Sequence, residues 1–202
     1  MKPDTAWPIV VGVTGASGVV YAQRLVRFLL ETGHRVLLSV SSAGRMVIKE
    51  ELRLSAGEDP WGETNRDRLQ IFPEKDFFAP FCSGSFRFRG MALVPASVGS
   101  VGAIASGVCI NNIHRAADVT LKERRRLVIV PRETPLTAIH LENLLKLARA
   151  GAVILPPCPA FYPAPETLDD SIDFVVSRIL DALDIENSLF PRWREEKGGA
   201  GG

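Results

Sequence analysis

Hydrophobic residues in this chain fall into short unbroken blocks, separated by stretches in which they recur every three or four positions. The blocks are Ile9–Val13, Arg35–Val40, Met91–Val94, Leu127–Val130 and Ala152–Leu155. Their length and β-branched content mark strands buried on both faces. Tyr21, Leu25, Phe28 and Leu29 mark one face of a helix that Gly33 ends. Further helices are expected over Ala43–Leu52, from Val101 to Ala105 with Gly107 as its stop, and over Arg115–Glu123. Thr134 as N-cap and Pro135 as first helical residue predict a helix to about Ala150, closed by Gly151. Thr167 with Asp170 reads as a capping box opening a last helix through about Leu183. Between Ser55 and Arg89 the periodicity weakens into a long excursion with a small strand or two. Strand and helix otherwise alternate, which predicts α/β architecture: a single doubly wound, mostly parallel sheet with helices on both faces. Residues 1–196 read as one domain, and the polar, Gly-rich stretch 197–202 as a disordered tail.

Composition narrows the partners. A formal net charge of +1 gives no bulk attraction to nucleic acid or to a membrane surface. No apolar run is long enough to span a bilayer, and the Ile9–Val13 block lacks the flanks of a signal peptide. Cys82, Cys109 and Cys158 are odd in number, far apart and in no CxxC pair, which predicts reduced thiols in a cytoplasmic protein. His34, His114 and His140 fall in no metal-binding spacing, so no metal site is expected. Phe86 and Phe88 alternate with Arg87 and Arg89, a pattern only superficially like a single-strand platform.

Candidate chemistry collects in the turns after the strands. Thr14-Gly15-Ala16-Ser17-Gly18 joins the first strand to the first helix, where backbone amides and a hydroxyl suit a phosphate. A tight structural turn accounts for it equally well, and it is neither GxGxxG nor a P-loop. Ser41 and Ser42 follow the second strand, as ligand contacts or as helix caps. Pro95-Ala96-Ser97-Val98-Gly99-Ser100 repeats the strand, hydroxyl-rich turn and helix of the first unit, so two such turns share one predicted sheet edge. The densest stretch is His114–Pro135. Arg115 and Lys122 lie two turns apart on one helical face with Asp118 beside them, and Arg132-Glu133 follow a strand end. Arg115, Lys122, Arg132 and Glu133 are therefore expected at one edge, as a site for an anion. Arg124, Arg125 and Arg126 read as a solvated charge run, and Arg178 alone as a surface arginine. The Asp76–Pro80 and Cys82–Ser85 segments read as loops presenting aromatic and hydroxyl groups.

TGASG (Thr14–Gly18), RAADV (Arg115–Val119), LKERR (Leu121–Arg125) and VPRETP (Val130–Pro135) together resemble the UbiX family of flavin prenyltransferases. HLENLLKL (His140–Leu147), PAFY (Pro159–Tyr162) and PRW (Pro191–Trp193) extend the resemblance over nearly the whole chain. It implies a Rossmann-like, flavoprotein-type fold. The implied activity is metal-independent transfer of a dimethylallyl unit from dimethylallyl monophosphate to reduced FMN. The prenylated FMN then serves a partner UbiD-type decarboxylase of ubiquinone biosynthesis or aromatic acid decarboxylation. Gly15, Ala16, Ser17, Ser41, Ser97, Val98, Gly99, Ser100 and Arg132 would contact FMN. Lys122, Glu133, Tyr162 and Arg178 would hold the prenyl phosphate, with Arg115 nearby and Ser83 reaching the site. In these roles Lys122 and the arginines neutralise the departing phosphate, and Glu133 hands it a proton. Aromatic faces shelter an allylic cation, with Phe77 standing where the family commonly has Trp. The Pro95–Ser100 turn departs from the family's Pro-Cys-Ser pattern and resembles that of FMN-dependent cysteine-peptide decarboxylases, an alternative beside that of a flavin carrier. The family assembles as homo-dodecamers with sites at subunit contacts, so Glu51 or Phe77 would be placed to reach a neighbouring pocket.

Overall fold

The computed structural model describes residues 7–54, 58–62, 64–162 and 164–191. The 197–202 tail, with Arg192 and Trp193 of the PRW motif, lies outside the described residues. In chain order the elements are β1 (Ile9–Val13), α1 (Val19–Glu31), β2 (Val36–Val40), α2 (Ser42–Leu52), β3 (Leu69–Pro73), β4 (Gly90–Ala96) and α3 (Val98–Ala105). There follow α4 (Asn112–Lys122), β5 (Arg126–Pro131), α5 (Ala138–Arg149), β6 (Val153–Ile154) and α6 (Leu168–Ala182). The sheet order is β3-β2-β1-β4-β5-β6 and every pairing is parallel, which sharpens the expected "mostly parallel" sheet.

Side-chain alternation along the strands divides the core into two layers. Ile9, Val11 and Val13 of β1 join Leu38, Val94 and Val130 beneath α1 and α6. Val10 joins Leu37, Met91, Leu93, Leu127 and Ile129 on the opposite face, beneath α4. Both faces of the central strands are thus apolar, so those strands read as unbroken hydrophobic blocks. The weakly patterned excursion is pinned by Phe81, which is fully buried with its ring edge-on to Phe72 at 5.1 Å between centroids. Truncating such a residue costs about 3–5 kcal/mol.

Three expectations need correction. The helix expected from Pro135 starts later: the N-cap is Thr137, whose Oγ1 accepts from the His140 amide at 3.3 Å while His140 Nδ1 accepts from the Thr137 amide at 3.2 Å. Thr134 instead donates its hydroxyl to the Glu133 carbonyl at 2.8 Å. Arg125 is no solvated charge. It donates to the Phe86 and Gly84 carbonyls at 2.9 and 2.8 Å and stacks over the Phe88 ring at 4.2 Å. Phe88 is buried under it, while the exposed Arg87 lies over the Trp7 ring at 5.4 Å on the surface. The third correction concerns the shared edge. Helix α4 runs back against the strand direction: Asn112 at its start donates to the carbonyl of Pro73, the last residue of β3, whereas its end leads directly into β5 at Arg126. Lys122 therefore sits by the amino ends of the strands, roughly 15 Å of helix away from Asn112.

Candidate functional site

The strand order reverses at β1. The chain builds outward through β2 and β3, then crosses to place β4 on the other side of β1. Open α/β sheets bind ligands at this switch point, beyond the carboxyl ends of the strands. Here a cleft of about 450 Å³ is lined by Thr14, Gly15, Ser41, Ser97, Gly99, Ser100, Asn111 and His114, with Glu74 and Lys75 on its β3 side. Its size falls within the roughly 300–1,000 Å³ of small-molecule pockets.

Thr14 stitches the switch point. Its Oγ1 donates to the Pro95 carbonyl at 2.9 Å and accepts from the Ser97 amide at 2.8 Å, while its own amide reaches the Pro95 carbonyl at 3.2 Å. This fully buried hydroxyl holds the β1 and β4 turns in one register. Gly15 is required by close approach: a Cβ there would overlap that of Ala43 at the start of α2. Ser41 caps α2, accepting from the Gly44 amide at 3.0 Å, so the capping reading of that serine holds while the residue also lines the cleft. Ser97 caps α3, its Oγ accepting from the Ser100 amide at 3.3 Å. The first amides of a helix have no intrahelical partner, and a Cβ built on Gly99 meets nothing within 4 Å. The start of α3 therefore presents amides and the Ser100 hydroxyl to the cleft, a donor set that suits a phosphate.

The other Gly turn is arranged differently. At the start of α1 the Glu51 carboxylate, reaching across from α2, accepts from the Gly18 amide at 2.9 Å and from the Val19 amide at 3.0 Å. The chain's own anion thus satisfies the helix N-terminus that the sequence offered to a phosphate. Gly15, Ala16 and Ser17 precede that cap, and of these Gly15 lines the cleft.

The remaining candidates fall into three separate groups, with Phe77 apart from them. Arg132 and Glu133 follow β5 at its carboxyl end, the Arg132 amide bonding to the Ala96 carbonyl at 3.2 Å and the Glu133 carboxylate accepting from the Thr134 amide at 3.0 Å. Arg115, Ser83 and Lys122 run down the α4 face. Arg115 pairs with Asp118 at 2.7 Å and donates to the Cys82 carbonyl at 3.2 Å, and Lys122 pairs with Glu123. That ammonium holds the exposed Glu123 carboxyl below the usual range. Tyr162 and Arg178 share a small cavity of about 140 Å³ with Phe174 and Phe190, and Arg178 pairs with Asp181 at 2.8 Å. Phe77 lies half-exposed in the loop after β3. Among the described residues, the cavity shared by Tyr162 and Arg178 is lined by neither Lys122 nor Glu133.

Thr14, Glu51 as a cap, and His114 are the functional positions that sequence reasoning missed. The partners of Thr14 and Glu51 lie across the fold, so no local spacing announces them. His114 is buried, and burial depresses the basicity of its ring. Of the thiols, Cys82 is buried and its pKa is pushed up to about 11 by that burial, which leaves it unreactive. A larger hollow of about 600 Å³ beside β3 is walled mainly by Val40, Ile48, Trp61, Ile71 and Phe72. It lacks the convergent hydroxyls of the switch-point cleft, which is the better candidate site.

The chain matches the Flavoprotein family over residues 2–180. It is 47% identical to the flavin prenyltransferase UbiX of Halalkalibacterium halodurans, over 93% of each chain. The fold superposes with a TM-score of 0.85, at 42% identity, on AnUbiX (PadA1) in complex with FMN and dimethylallyl pyrophosphate, covering 93% of this chain and 97% of that one. A dodecameric FMN-dependent UbiX-like decarboxylase from Escherichia coli O157:H7 gives a TM-score of 0.84 at 39% identity, covering 93% and 99%.

Proposed function

The chain belongs to the Flavoprotein family and, within it, to the UbiX flavin prenyltransferases, and on that premise we propose how its residues divide the transfer of a dimethylallyl group to reduced FMN. The observation that carries the reading is the switch-point cleft, where a capped but open helix start, the Ser100 hydroxyl and the Thr14 stitch suit a phosphate-bearing flavin. Val98, Gly99 and Ser100 hold its phosphate at the helix start that Ser97 caps, Gly15 and Ser41 line its course, and Arg132 adds a cation at the β5 end. Reduced FMN supplies the nucleophilic ring atoms.

The donor is a dimethylallyl phosphate ester, for which we propose the monophosphate. Lys122, Tyr162 and Arg178 hold that phosphate, with Arg115 and Ser83 beside Lys122. The two cationic side chains offset the charge that builds on the leaving oxygen, which lets the allylic C–O bond break without a metal. Glu133 delivers a proton to the leaving phosphate and then, as carboxylate, accepts a hydrogen bond from it. Phe77 offers its face to the allylic cation. Because one chain separates these groups, we propose that a homo-dodecamer assembles them, with Lys122 of one copy completing the cleft of another. The prenylated product passes to a UbiD-type decarboxylase in ubiquinone or aromatic-acid metabolism. A cytoplasmic setting accords with the free cysteines and with the absence, among the described residues, of any helix long and apolar enough to cross a membrane.

The test is anaerobic incubation with reduced FMN and dimethylallyl monophosphate, followed by mass spectrometry of the bound flavin. Gain of one C5 unit by the parent, lost in Glu133→Gln with FMN binding retained, is the expected result. An unchanged flavin mass with intact donor, for the monophosphate and pyrophosphate alike, would overturn the assignment.

A further inference from the structure

His114 is the one side chain of the switch-point cleft that combines near-complete burial, at 2% exposure, with a ring nitrogen lacking any partner: Nδ1 bonds to nothing, while Nε2 lies 3.2 Å from Ser100 Oγ. A buried imidazole among these neighbours is neutral, because burial outweighs the attraction of Glu74, and Lys75 opposes protonation further. It therefore carries a single N–H, on one nitrogen or the other. Placing that proton on Nδ1 would bury an orphaned donor, which folded proteins avoid more strictly than an orphaned acceptor. Placing it on Nε2 gives it an acceptor at once, in Ser100 Oγ.

The consequence follows from counting the valences of one hydroxyl. Ser97 Oγ already accepts from the Ser100 amide at 3.3 Å, and its own proton is directed to Ser100 Oγ at 3.2 Å. Ser100 Oγ has two lone pairs and one proton. With Ser97 and His114 both donating to it, the lone pairs are occupied and the proton alone remains to be offered to the cleft. The opposite tautomer would draw the Ser100 proton back to His114 and turn a lone pair on any anion. We propose that His114 is a positioning residue that, by donating Nε2–H to Ser100, commits the Ser100 hydroxyl to donate into the cleft and so makes this corner selective for the phosphate monoester end of the flavin.

This rests on the cofactor reading above, and riboflavin, which lacks the phosphate, separates the two. Dissociation constants for FMN and riboflavin are measured by equilibrium dialysis on the parent and on His114→Leu, His114→Gln, Ser100→Ala and the Ser100→Ala/His114→Leu pair. A hydrogen bond to a charged group is worth about tenfold or more in affinity. His114→Leu is expected to bind FMN about tenfold more weakly with riboflavin unchanged, and His114→Gln, which keeps an N–H donor, to recover most of the loss. In the Ser100→Ala background His114→Leu should cost nothing further. Nitrogen-15 NMR of the parent should show the proton on Nε2. Equal weakening of both flavins, unchanged FMN affinity, or a proton on Nδ1 overturns the proposal. If the parent binds neither flavin the cofactor reading falls, and the tautomer alone then decides, Nδ1–H again overturning it.

Discussion

The two strand–turn–helix units that meet at β1 and β4 look interchangeable in sequence, yet they are finished in opposite ways. The β1 unit is closed by α2: Glu51 of that helix satisfies the amides that open α1, and Gly15 is pressed against its Ala43. The β4 unit leaves its helix start facing the cleft, capped by Ser97, with open space around Gly99 and the Ser100 hydroxyl in contact with a buried imidazole. A helix N-terminus is an anion site only when the protein has not already supplied the anion. The turn that more resembles a phosphate loop has its helix start filled by the protein's own carboxylate, and the less conspicuous turn is the one proposed to take the phosphate.

The difference is sharpest if it can be erased. Gly99→Glu would give the β4 turn an internal carboxylate of the kind the β1 turn already has. The open surroundings predict a folded protein whose FMN affinity falls at least about a hundredfold through repulsion and lost amide contacts. Titration of FMN against the variant, alongside its circular dichroism, checks both halves; full FMN affinity would place the phosphate elsewhere. Thr14→Val comes next, since it breaks the stitch between the two turns. Losing the hydroxyl leaves the part-buried Ser97 amide without its acceptor and takes from the Pro95 carbonyl one of its two donors, the Thr14 amide remaining, for an expected loss of about 1–3 kcal/mol in urea unfolding. Riboflavin and FMN should both weaken, because the whole cleft shifts. Glu51→Gln is the mildest. Removing the carboxylate from the α1 start should cost about 0.5–2 kcal/mol of stability, in line with lost helix caps. FMN affinity should stay within about threefold if the phosphate sits at α3 as proposed; a large change would show that the β1 turn also holds it.

Much of the architecture is legible because the central strands are buried on both faces and so spell apolar blocks. Thr167 with Asp170 forms the expected capping box, with Asp170 N bonding to Thr167 Oγ1 at 3.1 Å and Thr167 N to the Asp170 carboxylate at 2.8 Å. Thr134-Pro135 carries an equally good local signature and is wrong, because Thr137 with His140 offers a reciprocal cap three residues on. The site was read less completely. Helical spacing correctly puts Arg115 and Lys122 on one face, but a face runs the length of the helix, and α4 spans the sheet from one edge to the other. Thr14 and Pro95 are 81 positions apart, and Glu51 is 33 positions from Gly18, so neither contact leaves a local trace. His114 is invisible for a different reason: the role proposed for it turns on which of its nitrogens finds an acceptor.

The passage of α4 from one edge of the sheet to the other has a genetic consequence. If Lys122 serves the cleft of a neighbouring copy, a defective chain spoils a site that it does not own and spares one that it does. Two inactive alleles, Lys122→Ala and Glu133→Gln, would then complement one another in mixed assemblies, since some cavities receive both intact residues from different chains. Neither allele could be classed simply as dominant or recessive. The unit on which selection acts would be the contact between copies, with the single polypeptide supplying half of each site.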